Sequence, residues 1–319
     1  MPIEVSPLFW GLFVAFVLGM LALDLGIFHR AAHVPRFREA LTWTVVWSSL
    51  AMLFGAWIGW QFGGTAAIEF YTGWVIEQSL SFDNVFVFVL IFETLRIPLH
   101  LQHRVLFWGV LTAIVLRALM ILGGAALVTR FHWVLYVFGA FLVLTAIKLL
   151  TQRPHELQPQ DSRLVGWLRR RLRVTEIHDQ RFFVRVDRRL RATPLFLALV
   201  MVEVSDVVFA VDSIPAIFAV TQEPFLVFTS NVFAILGLRS LFFVLAGMVD
   251  RFVHLKTGLA IVLAFVGAKL LLMETVKIPP LLSLSVIVAV LAVSVAVSWR
   301  SSRPVSISKE RTSPVGEDG

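Results

Sequence analysis

The chain has no cysteine, which excludes disulfides, thiolate metal sites and cysteine nucleophiles together. Charge is also scarce. Charged residues make up 15% of the 319 residues and hydrophobic ones 58%, whereas a soluble domain is about a quarter charged and about half apolar. That balance points to a membrane protein before any motif is considered. A net charge of +7 would suit nucleic acid, but the Arg residues sit in short loops between long apolar runs, as in a positive-inside membrane topology. Leu8 to Phe28 is too long for a signal h-region and has no Lys or Arg before it, so it reads as a first transmembrane helix rather than a cleaved leader.

About 20 apolar residues are needed to cross the hydrocarbon core as a helix. Nine segments qualify, at 8–28, 40–62, 66–92, 104–127, 131–150, 194–220, 225–249, 257–273 and 280–299. The expected fold is therefore all-α, a single polytopic domain over 1–300. It is interrupted by an Arg-rich loop at 151–192 and followed by a polar, disordered tail at 301–319. Of the 28 Lys and Arg, all but six fall in one alternate set of loops and the tail. Arg130 and Lys277 lie in the opposite set, and Arg117, Lys148, Arg239 and Lys269 lie within spans. This bias predicts a multi-pass inner-membrane protein with its N-terminus outside and its C-terminus in the cytoplasm. In the loop, Phe182, Val184 and Val186 alternate with Arg181, Arg185 and Asp187, a pattern that allows a small piece of structure there. Its Arg clusters could touch anionic headgroups, though a cytoplasmic loop obeying the orientation rule is the better account of them.

An internal repeat runs through the spans. Glu77-Gln78-Ser79 with Asp83-Asn84-Val85-Phe86 matches Glu203-Val204-Ser205 with Asp206-Val207-Val208-Phe209, given three extra residues in the first copy. Leu116-Arg117-Ala118-Leu119 matches Leu238-Arg239-Ser240-Leu241, and Ala146 to Leu150 resembles Gly267 to Leu271. The anchors recur in order, one per helix, so helices 3–5 (66–150) and 6–8 (194–273) read as related units. Three spans is an odd number, so the second unit should be inverted relative to the first. Transporters built this way place their substrate sites near mid-membrane at the repeat interface.

Each ionisable group at the bilayer centre costs about 2.5–3.5 kcal/mol on insertion scales. Glu77, Asp83, Glu203, Asp206 and Asp212 all fall inside spans. Arg117 and Arg239 could neutralise two of them, with Lys148 and Lys269 reaching for the interfaces. About three acids then lack a partner and must take protons or close on a cation. Asn84, Ser79, Ser205 and Ser213 add hard oxygen donors suited to Mn²⁺, Mg²⁺ or Ca²⁺. The only imidazole in a span, His132, lies at an outer edge, which disfavours Zn²⁺ and Cu⁺. Met201 could lend a soft contact, but packing is its simpler role.

At 100° per residue Glu203 and Asp206 share a face while Asp212 lies roughly opposite Glu203. Pro215 offers a remedy, since a break across 211–215 would turn Asp212 inward and free backbone carbonyls. Glu77 and Asn84 share a face, with Asp83 offset. Asp24, five and six residues before His29 and Arg30, reads as an interfacial pair, and Glu69 as a solvated outer residue.

Glu77 to Asn84, Glu203 to Asp206 and Phe209 to Pro215 resemble the two signature segments of the TerC family. Asp24 to Arg30 and Gln102 to Gly109 are similar to its Alx-like branch. The resemblance spans about residues 10–300. It implies an integral membrane protein associated with tellurite resistance, alkaline-pH response and Mn²⁺ export, with the family's acidic positions at Glu77, Asp83, Glu203, Asp206 and Asp212. Taken together, the expected function is export of a divalent cation, Mn²⁺ first, held by Glu77, Asp83, Asn84, Glu203, Asp206 and Asp212. Ser79, Ser205, Ser213, Arg117, Arg239, Lys148 and Lys269 would support it, and proton return is a plausible driver. The expected partners are the ion and the lipid bilayer, with no bound cofactor, nucleic acid or enzymatic role. The alternative is a membrane scaffold whose acids are locked in ion pairs.

Overall fold

Long apolar runs without water must satisfy their own backbone, so they form helices. The computed structural model describes residues 5–28, 37–151, 167, 171, 174–175, 181–186, 189–246, 255–276 and 278–301. Among the described residues there are nine helices: α1 Pro7–Phe28, α2 Phe37–Phe62, α3 Gly64–Thr94, α4 Leu99–Arg130, α5 Val134–Thr151, α6 Pro194–Phe218, α7 Pro224–Leu245, α8 Leu255–Leu271 and α9 Pro280–Ser301. Seven are long and apolar enough to cross a membrane, and the apolar stretches Pro7–Ala22 and Thr257–Leu271 of α1 and α8 are shorter. The chain is a polytopic membrane protein of the all-α class, with one short β-hairpin. The tail beyond residue 301 and most of the loop lie outside the described residues.

Local chemistry sets the ends. At the close of α3, Arg96 takes a positive φ of 50°, and the Ile97 amide donates to the Phe92 carbonyl at 2.9 Å. This Schellman-type stop is followed by Pro98. The start of α6 is fixed by Thr193, whose side chain accepts from the Phe196 amide, with Pro194 in the first turn. Just before it, β1 Phe183–Val186 and β2 Arg189–Ala192 form an antiparallel hairpin. Its alternation of half-buried Val184 and Val186 with exposed Arg185 is the pattern visible in the sequence. The hairpin is tied to α6 through the Thr193 amide, which donates to the Phe182 carbonyl at 3.0 Å. It reaches α4 where the Arg104 guanidinium lies 5.4 Å from the Phe182 ring.

Between the two expected units, α3 packs on α6, α7 and α8, α4 on α6 and α7, and α5 on α6 and α8. This set of pairings is unchanged when α3, α4 and α5 are exchanged for α6, α7 and α8. The α5–α8 crossing depends on small residues. A Cβ on Gly139 would lie 3.0 Å from the Gly267 carbonyl oxygen, and one on Gly267 would lie 2.8 Å from that of Gly139. With lipid as apolar as the side chains, such backbone proximity is how membrane helices gain contact. Around this frame, α2 packs on α3 and α7, and α9 on α3 and α8. An aromatic cluster including Phe13, Phe54, Phe70, Phe225 and Phe233 seats α1 against them.

One expectation is corrected. No break opens at 211–215: α6 runs continuously through Pro215. Proline removes one backbone bond, but the flanking turns persist because α6 is held along its length by α3, α4 and α5.

Candidate functional site

Glu77, Arg117 and Asp206 come from the middles of α3, α4 and α6. Asp206 stands about 18 Å along α6 from Pro194, close to half of a hydrocarbon thickness of about 30 Å. All three are buried. The guanidinium of Arg117 joins the two acids. Its Nε donates to Asp206 Oδ2 at 3.2 Å and its Nη2 to Asp206 Oδ1 at 2.7 Å, while Nη1 pairs with Glu77 Oε1. The Nη1 group also lies 3.4 Å from Ser213 Oγ and from Asn231 Oδ1. Asn231 Nδ2 completes the set by donating to Glu77 Oε2 at 3.1 Å. The fork of one arginine thus satisfies both oxygens of Asp206 and one of Glu77, an arrangement lysine could not reproduce.

Glu203 is different. It stands one turn before Asp206, and three-residue spacing puts their Cβ atoms about 5–6 Å apart on one face. Both its carboxylate oxygens are shut off from solvent with no hydrogen-bond partner, as is Asn84 Oδ1. On α4, Gly109 packs against this part of α6: an added Cβ would lie 3.3 Å from Val202 Cγ1 and 3.7 Å from Glu203 Oε1. A buried polar atom without a partner is costly, and an ionised one far more so.

The remaining expected residues are dispersed. Asp212 is half-buried on another face of α6 and accepts from the Thr145 hydroxyl of α5 at 3.2 Å; exposed Lys148 is its nearby cation. Lys269 donates to Ser283 Oγ at 3.0 Å, and Glu69 is half-buried. Ser79 and Ser205 donate to the carbonyls of Val75 and Met201 in their own helices. Met201 is a buried packing residue. Arg239 is buried and engaged in an interaction of its own. The side chains of Asp24 and Asp83 lie outside the described ones.

The expected pairing of Arg117 and Arg239 with one acid each is therefore revised, because Arg117 alone takes two. Among the described residues, no three carboxylate or imidazole groups gather closely enough to hold a metal ion in this conformation. A positive guanidinium already occupies the place between Glu77 and Asp206. Sequence reasoning missed Asn231 and Thr145. A buried amide in an apolar span is as anomalous as a charge, and the run Thr229-Ser230-Asn231 inside α7 was the available signal.

Helices of this length and composition around a buried charged cluster define a polytopic membrane protein with a polar mid-membrane site. The chain belongs to the TerC family of integral membrane proteins, whose model matches residues 62–305. Among its relatives, the Myxococcus xanthus membrane protein STKORF319 is 55% identical over 299 residues, covering 93% of this chain and 94% of that one. An Escherichia coli K12 protein, Alx, named as a proposed membrane-bound redox modulator, is 48% identical over 309 residues, covering 93% and 96%. A Rickettsia bellii membrane protein is 39% identical over 290 residues, covering 91% and 96%. No solved structure matches the chain.

Proposed function

We propose that the chain exports a divalent cation, Mn²⁺ first, across the inner membrane through the acidic cluster of α3 and α6. The observation that carries this reading is Glu203, a carboxylate inside a membrane protein whose two oxygens have no partner. Such a group must take a proton or a cation, and a fold without that need would replace it with a leucine. The expected oxygen donors Glu77, Asp83, Asn84, Glu203 and Asp206 suit a hard cation, while Asp212 faces Thr145 on α5, apart from Glu203 and Asp206. Relation of α3–α5 to α6–α8 by inversion would let one unit rock against the other about the site, with protons returning through the same carboxylates. The hairpin end would face the cytoplasm, as the Arg-rich loop requires. The redox role in the name of the E. coli relative is not adopted, since a chain without cysteine has no thiol couple.

The test is Mn²⁺ uptake into inverted membrane vesicles by wild type, Glu203→Gln and Asp212→Asn. Loss of uptake in Glu203→Gln is expected, and undiminished transport in both variants ends the assignment. A second reading, a membrane scaffold, draws on the Arg117 cluster, which ties acids of both units without any ion. It predicts that purified protein moves no metal, and that losing Arg117 destabilises the fold as much as losing its acids.

A further inference from the structure

The β-hairpin has two unlike sides. Successive residues of a strand point to opposite sides, and residues paired across the ladder share one. Val184 and Val186 lie on the inner side and are half-buried. Just before them, Phe182 packs on the apolar cluster of α3, α4, α6 and α7. The outer side carries Phe183 and Arg185, with Leu190 paired to Arg185 across the ladder. All three are exposed, Phe183 by 43% and Leu190 by 66%.

That outer side adjoins the lipid-facing surface of the helices. Val204, Val208 and Val211 of α6 are exposed, and at 100° per residue they share an arc of about 120° with Phe196. The Phe183 ring packs on the Phe196 ring with centroids 4.5 Å apart. The stripe that lipid covers along α6 therefore runs onto the hairpin. Ala192 ends β2 and Pro194 begins α6, so the hairpin stands at the edge of the hydrocarbon rather than out in water.

Charge supplies the second argument. Residues 151–192 hold eleven arginines against five acids, and the orientation rule accounts for that excess by itself. It does not account for a phenylalanine and a leucine left bare beside an arginine on one side of a hairpin. Apolar side chains interspersed with a cation are suited to rest on a leaflet, the apolar groups at the acyl boundary and the cation among phosphates.

We infer that the hairpin binds anionic phospholipid in the leaflet on its own side of the membrane, through Phe183, Arg185 and Leu190. Phe183, next to α6, meets the acyl boundary. Leu190, farther from α6, rests among the headgroups within reach of water. Between them the Arg185 guanidinium takes a lipid phosphate, for which its planar fork is well shaped. The inner side of the hairpin is tied to α4 by Phe182 and to α6 by Thr193, one helix from each expected unit. Lipid bound outside thus bears on the place where the two units meet. The inference stands apart from the export reading, since it concerns a surface and not the mid-membrane cluster.

The experiment uses the full chain, one copy per lipid nanodisc, with fold checked by size-exclusion profile. Because there is no native cysteine, Leu190→Cys can carry a single bimane fluorophore, and a lipid with a nitroxide on its headgroup reports contact by quenching. Quenching should rise as phosphatidylglycerol replaces phosphatidylcholine. Added to this background, Arg185→Gln should raise the phosphatidylglycerol fraction needed for half the effect by about fivefold, the worth of one arginine at an anionic surface. Arg185→Lys, which keeps the charge, should retain most of the preference. Phe183→Ser should lower quenching in every lipid mixture. A probe that stays unquenched, or is quenched equally with and without phosphatidylglycerol, overturns the proposal. So does an Arg185→Gln chain that keeps the wild-type lipid dependence, which would leave the arginines to the orientation rule alone.

Discussion

At the scale of single residues, Arg117 has the largest consequences. Breaking a buried ion pair by removing one partner costs about 3–5 kcal/mol, because the other charge stays behind in a medium that cannot solvate it. Arg117→Ala strands two such charges, so its thermal unfolding in detergent should fall well below wild type, by at least that free energy. Asn231→Leu leaves Glu77 Oε2 without its donor and should cost about 1–3 kcal/mol, the penalty of one orphaned buried group. Glu203→Gln should behave in the opposite way. Its carboxylate has no partner to lose, so stability should hold or rise while transport fails. A Glu203→Gln protein that unfolds as readily as Arg117→Ala would mean Glu203 is a structural acid.

At the scale of elements, the crossing of α5 and α8 is the most demanding contact. Gly139 and Gly267 bring the backbones so close that no side chain fits at either position without displacing a carbonyl. Gly267→Val should therefore force the helices apart at a cost of about 1–3 kcal/mol, the usual penalty of overpacking. Lower yield and a lower melting temperature would report it, and Gly11→Val, whose Cβ would meet nothing within 4 Å, is the matched control. The hairpin shows how far local signals reach. Alternation at 182–186 was legible, but pairing with 189–192 needed Thr193 and Phe182 to hold it against α4 and α6.

At the scale of the whole molecule, the prediction concerns orientation. Trp133, in the α4–α5 turn, and Leu190, on the hairpin, are both exposed and lie at opposite ends of α4. The absence of native cysteine makes single replacements unambiguous. Trp133→Cys should react with a membrane-impermeant maleimide in intact spheroplasts, and Leu190→Cys only in inverted vesicles. The reverse labelling pattern would turn the molecule over and convert the proposed exporter into an importer.

Among the described residues, the number, type and approximate limits of the long apolar helices were set by the sequence alone, because in hydrocarbon a run of apolar residues has only one way to satisfy its backbone. The acidic positions could be found in the same way, since a charge in such a run is conspicuous. Which acids meet was not legible. Helical phase relates residues along one helix but says nothing of the partner a neighbouring helix presents, so the union of Glu77, Arg117, Asp206 and Asn231 from four helices was decided only by their packing. The same holds for Asp212. Pro215 suggested a break that would turn it inward, yet contacts along α6 keep the helix whole and leave Asp212 facing Thr145 on α5.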